Sequence, residues 1–360
     1  IFLNNFEFMK WTFISAIILA LGCNKAPDKK KEVGESSSII YAEKFEISEN
    51  KIIVNEPWPG AKQPKEYTME EAPKKVICTS TTHLPFIEML GKENTLIGFP
   101  GTQYISSQKI RKLVENKDII DVGRDGSLNL EIILGLKPDL VFAFDMGNES
   151  SSLDKLKESG IQVVYNADYL ETSALGRAEW IKFFGSFYNE DQRADSIFRK
   201  IESNYIHLKK LTENVEARPT ILSGVVYGDT WFLPGGKNWS AQFFNDAGGE
   251  YFLHDNNKTG WLELSFEYVF EKAHHSDYWI GVASFNTKQE LQNQDNRYGQ
   301  FQAFQNDRVY NYNKQVASSG GYDIFESGYA RPDKVLKDLI YILHPEIIPD
   351  HKSYYFQRLP

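Results

Sequence analysis

The sequence predicts an α/β protein: two Rossmann-like lobes with central, mostly parallel sheets, joined by a single long interlobe helix. Three observations carry that expectation. From Pro73 onward, short strand-like runs alternate with helix-like stretches, the pattern of βαβ units. The same alternation restarts after Pro219. Between the two series, residues 190–216 contain no Gly or Pro and place apolar residues at Ala194, Ile197, Phe198, Ile201, Tyr205 and Leu208, a single stripe at helical spacing.

Taken in chain order, residues 1–22 read as a secretory signal with its start at Met9. Lys10 supplies a basic residue, 11–22 (WTFISAIILALG) a short apolar region, and small residues precede the break. The run is shorter than the roughly 20 apolar residues that a permanent membrane helix needs. Cys23 follows and resembles the lipidated cysteine of a bacterial lipoprotein; the alternative is an ordinary cleaved signal with a coincidental Cys. Residues 23–38, rich in Lys, Glu and Ser, read as a flexible tether. Residues 39–72 read as an appended extended segment, because KIIV is followed by the Pro- and Gly-rich PWPGAKQP.

The N-terminal lobe is assigned to 73–188. Its strands are expected in VICTS, TLIGF, IIDVG, DLVFAF and QVVYN, and its helices in HLPFIEML, ISSQKIRKLVEN, LNLEIILGL and SSLDKLKES. Cys78, inside the first strand, is expected to be a small buried hydrophobe rather than a reactive thiol. The interlobe helix is assigned to 189–216, with Asn189 as its cap and Glu190 and Asp191 complementing its positive end. The C-terminal lobe follows over 217–345, with strands in TILSGVVY, TWFLPGG, EYFLHD, DYWIGVAS and RVYNYN, and 346–360 is left as a tail. An internal echo links the lobes. SLNLEIILGLKPDLVFAF (127–144) and ELSFEYVFEKAHHSDYWIG (263–281) share a polar residue, a helix start carrying Glu131 or Glu267, an apolar face, and then Asp139 or Asp277 leading into a strand.

Composition narrows the function. Forty Lys and Arg against 49 Asp and Glu give a formal net charge of -9, which offers no basic excess for nucleic acid. Two cysteines exclude a disulfide framework or a Cys-rich zinc module. Aromatic residues make up 14% of the chain, more than two sheet cores alone require. There is no G-x-x-x-x-G-K-[ST] phosphate loop, no H-E-x-x-H helix and no G-x-S-x-G elbow. The calcium-like start at Asp255 fails because Phe266 stands where a bidentate acid is required. His274 and His275 are adjacent, so on a helix they are expected to point apart.

Two stretches, KVICTSTTHLPFIEMLG (75–91) and DVGRDGSLNLEIILGLKPDLVFAF (121–144), together with SFEYV in the second half, resemble the substrate-binding proteins of ABC importers for metal chelates. Those proteins carry ferric siderophores, haem or cobalamin, and the resemblance runs from Lys75 to about Leu343. It implies two lobes joined by one long helix, ligand held between them, and a non-enzymatic, monomeric receptor of the cell envelope, on the periplasmic or outer face. It further implies an ABC permease and its ATPase as partners, a membrane anchor through lipid, and no cofactor beyond an iron- or cobalt-containing cargo. By position, Glu131 and Glu267 match the two glutamates with which the family pairs arginines of the permease.

Ligand is expected at the carboxyl ends of the strands, where open α/β sheets bind small molecules. In the first lobe these positions hold Thr81, Thr82, His83, Gln103, Tyr104, Arg124, Asp125, Phe144 and Asp145. In the second they hold Tyr227, Trp231, Lys237, Asn238, Trp239 and Trp261, with a late loop at 320–328. Aromatics there suit a bulky chelate and Arg or Lys its acidic groups. Trp261 matches an aromatic that faces ligand in the cobalamin-binding branch. Pro85 stands where the family often has an acid, which leaves the ligand open. Two other readings stand beside this one. One is an exported enzyme or a scaffold on a similar frame, and the other a receptor for a free metal ion using His83 and carboxylates.

Overall fold

The computed structural model describes residues 39–360, apart from 49–50, 69–70, 125, 148–150 and 318–319. The signal, Cys23, the tether and Asp125 lie outside the described residues.

The first lobe is built on a parallel five-stranded sheet in the order Gln162–Tyr165, Leu140–Ala143, Val76–Cys78, Leu96–Phe99, Ile120–Asp121. Its central strands are buried on both faces, which is why VIC and LVFA read as continuous apolar runs rather than alternating ones. Cys78 lies inside this sheet, and burial pushes its thiol pKa well up. The second lobe repeats the design in the order Glu250–Tyr251, Thr220–Leu222, Tyr278–Ile280, Val309–Asn311, all parallel, with Gln357–Arg358 closing one edge antiparallel. The C-terminal residues are therefore part of this lobe rather than a tail, and Tyr355, Phe356 and Leu359 are buried in it.

TILSGVVY does not form one strand. Gly224 has φ +80, and a Cβ there would run into the carbonyl oxygen of Phe232. The chain turns at this glycine out of the parallel sheet and into a separate antiparallel one, Val225–Tyr227, Thr230–Pro234 and Trp261–Leu264.

The echo between the lobes is structural. Asn129 and Ser265 cap the helices Leu130–Leu136 and Phe266–Ala273, accepting from the amides of Ile132 (3.1 Å) and Tyr268 (3.2 Å). Glu131 and Glu267 occupy the same first-turn position. Asp139 then accepts from the amides of Lys74 and Lys75 (2.7 and 2.9 Å), and Asp277 from the amide and hydroxyl of Thr220 (2.9 Å each). In each lobe the repeated aspartate thus fixes the start of a neighbouring parallel strand.

The long helix spans Asp191–Thr212, about 33 Å at 1.5 Å per residue. Its stripe serves both cores: Ala194, Phe198 and Ile201 pack in the first, Tyr205 and Leu208 in the second. Asn189 does not cap it. With φ 54, Asn189 closes the preceding helix instead, and the Glu190 amide donates to Gly185 O at 2.8 Å in a left-handed C-terminal turn. That preceding helix, Ala174–Phe187, is buried on all sides, Arg177, Glu179 and Lys182 included, with Ala174 and Leu175 in the second core and Ala178 to Phe187 mostly in the first.

The appended segment is an antiparallel meander, Phe45–Ser48, Lys51–Val54 and Lys65–Thr68. Two buried carboxylates hold its approach. Glu179 accepts from the amides of Ile40, Tyr41 and Ala42 at 2.6–3.0 Å, and Glu171 accepts from those of Glu43 and Lys44. Phe45 packs on Trp180, with ring centroids 4.6 Å apart, and the Tyr165 amide donates to the Tyr67 hydroxyl at 2.9 Å.

Candidate functional site

Just beyond the carboxyl ends of the second-lobe strands lies a cavity of about 370 Å³. Gly224, Gly281, Tyr227, Trp239, Trp261 and Phe325 are among the residues that line it. Gly281 has φ +84, so the chain leaves the strand Tyr278–Ile280 in a turn that favours glycine at the cavity's edge. Among the described residues no charged side chain lines the cavity; its polar groups are Ser and Tyr hydroxyls and the Trp indoles. Burial raises the Tyr312 phenol to about 12, so it remains a neutral hydrogen-bonding group at any physiological pH.

Three expected ligand residues meet here. Tyr227 and Trp261 are the most exposed large hydrophobics of the described chain, at 80% and 65%. The antiparallel sheet explains their reach: Trp261 opens its third strand, opposite Pro234, and Tyr227 ends its first. Trp239, at the start of the helix Trp239–Asp246, is half-buried and held by Phe243 and Tyr329, both 5.7 Å away between ring centroids. Asn238 caps that helix through the Ser240 amide, and Lys237 is exposed but not part of the cavity wall.

Two expected ligand residues are core residues. Trp231 is fully buried, because alternation along Thr230–Pro234 turns its side chain inward. There it stacks on Trp279 at 5.6 Å and donates to Ser223 O at 3.1 Å. His83 is also fully buried, 5.9 Å from the Phe184 ring, and desolvation lowers its pKa to about 3. A neutral, enclosed imidazole cannot reach a ligand, which removes His83 from the free-ion reading. No group of three or more His, Cys, Asp or Glu among the described residues could hold a metal ion.

The remaining first-lobe positions are scattered over loops. Thr81 and Thr82 lie in the short turn Thr81–His83, with Thr82 buried. Tyr104 is 54% exposed at the end of Thr102–Tyr104, and Arg124 is exposed on a two-residue hairpin strand. Phe144 is half-buried against Tyr169, whose hydroxyl donates to Asp145 O at 2.5 Å. Glu131 and Glu267 are both exposed, and Glu267 lies 3.4 Å from Arg297. His274 and His275 do not point apart. The helix ends at Ala273, so His274 is its cap, and the two rings lie 3.9 Å from each other.

The late loop expected at 320–328 contributes Ile324 and Phe325 to the cavity, whereas sequence reasoning missed Arg177. Arg177 carried a signal, a lone guanidinium in the apolar run ALGRAEWIKFF. It donates to Glu171 O (3.0 Å) and Tyr169 O (3.2 Å) of the first lobe and lies 4.7 Å from the Trp239 ring and 4.5 Å from the Tyr329 ring of the second. A second cleft, of about 440 Å³, separates the long helix from Pro332–Leu343, away from the strand ends. Its two acids are already satisfied: Asp333 by Arg331 and Asn204, and Asp338 by His351 and the amides of 354–356.

Known proteins place this arrangement. A curated lipoprotein of Methanocaldococcus jannaschii, itself uncharacterized, is 29% identical over 293 residues, which cover 79% of this chain and 68% of the relative. A vitamin B12-binding protein of Vibrio parahaemolyticus is 26% identical over 151 residues, 40% of this chain and half of the relative. Among solved structures, a periplasmic haem-binding protein from Pseudomonas aeruginosa superposes with a TM-score of 0.61 at 15% identity, covering 80% of this chain and 98% of that one. At that identity the likeness shows the shared two-lobed fold. Residues 76–316 match the periplasmic binding protein family, and with most of both lobes inside that match the chain belongs to it.

Proposed function

We propose that the chain is the lipid-anchored receptor of an ABC importer, which captures a metal chelate at the second-lobe cavity and presents it to the permease. The observation that carries this reading is the uncharged aromatic cavity at the strand ends, flanked by the protruding rings of Tyr227 and Trp261. Such walls favour a large, partly apolar ring system over a hydrated ion, and an iron- or cobalt-containing chelate fits that description. The names of relatives that bind vitamin B12 or haem support the same class. Anchoring is assigned to Cys23, and docking to Glu131 and Glu267, whose equivalent places on two repeated helices would orient the receptor on a two-fold permease. The chain binds and releases its cargo, and no residue is given a catalytic role.

The test is direct titration of the purified protein with hydroxocobalamin, haemin and a ferric siderophore, followed by tryptophan quenching. Saturable one-to-one binding of at least one of them, weakened by changes at Tyr227 or Trp261, is expected. Binding of free Fe³⁺ or Co²⁺ in preference to every chelate would overturn the reading.

A further inference from the structure

The stretch 320–330 of the second lobe has two jobs at once. Ile324 and Phe325 line the cavity. The residues around them hold the first lobe. Glu326 is 2% exposed, and its carboxylate accepts from the backbone amides of Ser106 (2.7 Å, Oε2) and Ser107 (2.8 Å, Oε1). Ser106 Oγ donates to Gly321 O at 3.3 Å, and a Cβ on Gly321 would collide with the carbonyl oxygen of Tyr104. Tyr329 meets Arg177, which is tied to first-lobe carbonyls.

The Glu326 carboxyl accepts both bonds at the start of the helix Gln108–Glu115, where the first amides lack partners within the helix, and burial, with Asp323 and Glu88 nearby, raises its pKa to about 8. No Lys or Arg pairs with Glu326 among the described residues. A buried carboxyl that, among the described residues, is held by two amides of the other lobe and by no cation suits a contact that breaks and re-forms better than one that cements the fold.

We propose that Glu326 is a latch between the lobes, and that occupation of the cavity sets it by displacing Ile324 and Phe325 next to it in the chain. Glu326 is thus a positioning residue for ligand capture, acting through the Ser106 and Ser107 amides rather than by touching cargo. The proposal rests on the cavity being the ligand site, but the latch can be tested without any ligand.

Amide hydrogen exchange of the full chain, read by mass spectrometry on peptides spanning 105–112, measures the latch directly. E326Q removes one good acceptor and E326D withdraws the carboxylate by one methylene; both keep a polar side chain, so the fold is retained. Each is expected to speed exchange at Ser106 and Ser107 by about tenfold, the scale of one lost buried hydrogen bond. F325A, which alters only the cavity wall, is expected to change the same exchange rates with Glu326 intact. Unchanged exchange in both Glu326 variants overturns the latch, and a response to them but not to F325A overturns its coupling to the cavity. If the latch responds as described while none of hydroxocobalamin, haemin or a ferric siderophore binds, the latch stands and the proposed cargo falls.

Discussion

Two tryptophans of one small sheet should respond to truncation in opposite ways. Trp261 is 65% exposed at the cavity, so of a side chain that can bury roughly 200 Å², about 130 Å² is available for a ligand to cover. At about 25 cal/mol per Å², full coverage is worth about 3 kcal/mol and half coverage about 1.6 kcal/mol, a factor of roughly 15 in Kd. Trp261→Ala is therefore expected to weaken chelate binding at least tenfold while leaving the melting temperature within a degree or so, because little of the ring is buried in the free protein. Trp231 sits two strand residues from the same sheet's turn but is fully enclosed, stacked on Trp279 and bonded to Ser223 O. Trp231→Ala should cost about 3–5 kcal/mol of stability through the cavity it leaves. Parallel thermal melts and chelate titrations of the two variants check this. If Trp261→Ala binds like the parent, or if it melts several degrees lower, the assignment of Trp261 to a ligand surface is wrong.

Reversing both Glu131 and Glu267 to Lys should abolish transport by the assembled importer yet leave chelate affinity and melting intact. Both side chains are exposed, and the Glu267–Arg297 pair is a surface contact worth at most about 1 kcal/mol; transport that survives the double change excludes the docking role. His83 makes stability depend on acid. Its folded pKa, about 3, lies below the ordinary 6.5, so the folded protein binds fewer protons than the unfolded chain between these values and loses stability as pH falls from about 6.5 towards 3. Asp168, raised by burial to about 6, has the opposite slope between pH 4 and 6, so the test is a difference: His83→Leu should flatten the acid limb of a urea-melt series relative to the parent. Glu179→Ala strands three amides and takes one of the acids from beside the buried Lys182, and should cost about 3–5 kcal/mol, or roughly 6–10 °C in Tm, with the meander detaching first in limited proteolysis.

The parallel strands were legible because burial on both faces leaves a continuous apolar run, and the long helix because one stripe had to serve two cores. The repeated Asn129/Ser265, Glu131/Glu267 and Asp139/Asp277 pattern was legible because capping and strand anchoring are local acts of single polar side chains. Asn189 was misread because Asn serves equally at an N-cap and in a left-handed C-terminal turn, and only the neighbouring helix Ala174–Phe187 decides between them. That helix escaped notice because, buried on every side, it has no single apolar stripe. Trp231 and Trp261 both stand near strand ends, and sidedness within the sheet, fixed by the turn at Gly224, separates core from site. Arg177 stood out as a lone guanidinium, but its ring partners Trp239 and Tyr329 lie in the far lobe, and Glu326 bonds to amides more than two hundred residues away, so no local pattern could announce either contact.

The strap that ends at the meander has a mechanical consequence. Tyr41 packs against both cores, its hydroxyl donates to Glu202 of the long helix at 2.7 Å, and its amide is held by Glu179 of the adjoining helix. Lys182 and Asp195 tie those two helices to each other beneath it. A force applied at residues 39–41 therefore enters at the pair of helices common to both lobes, where its lever arm on either lobe is short.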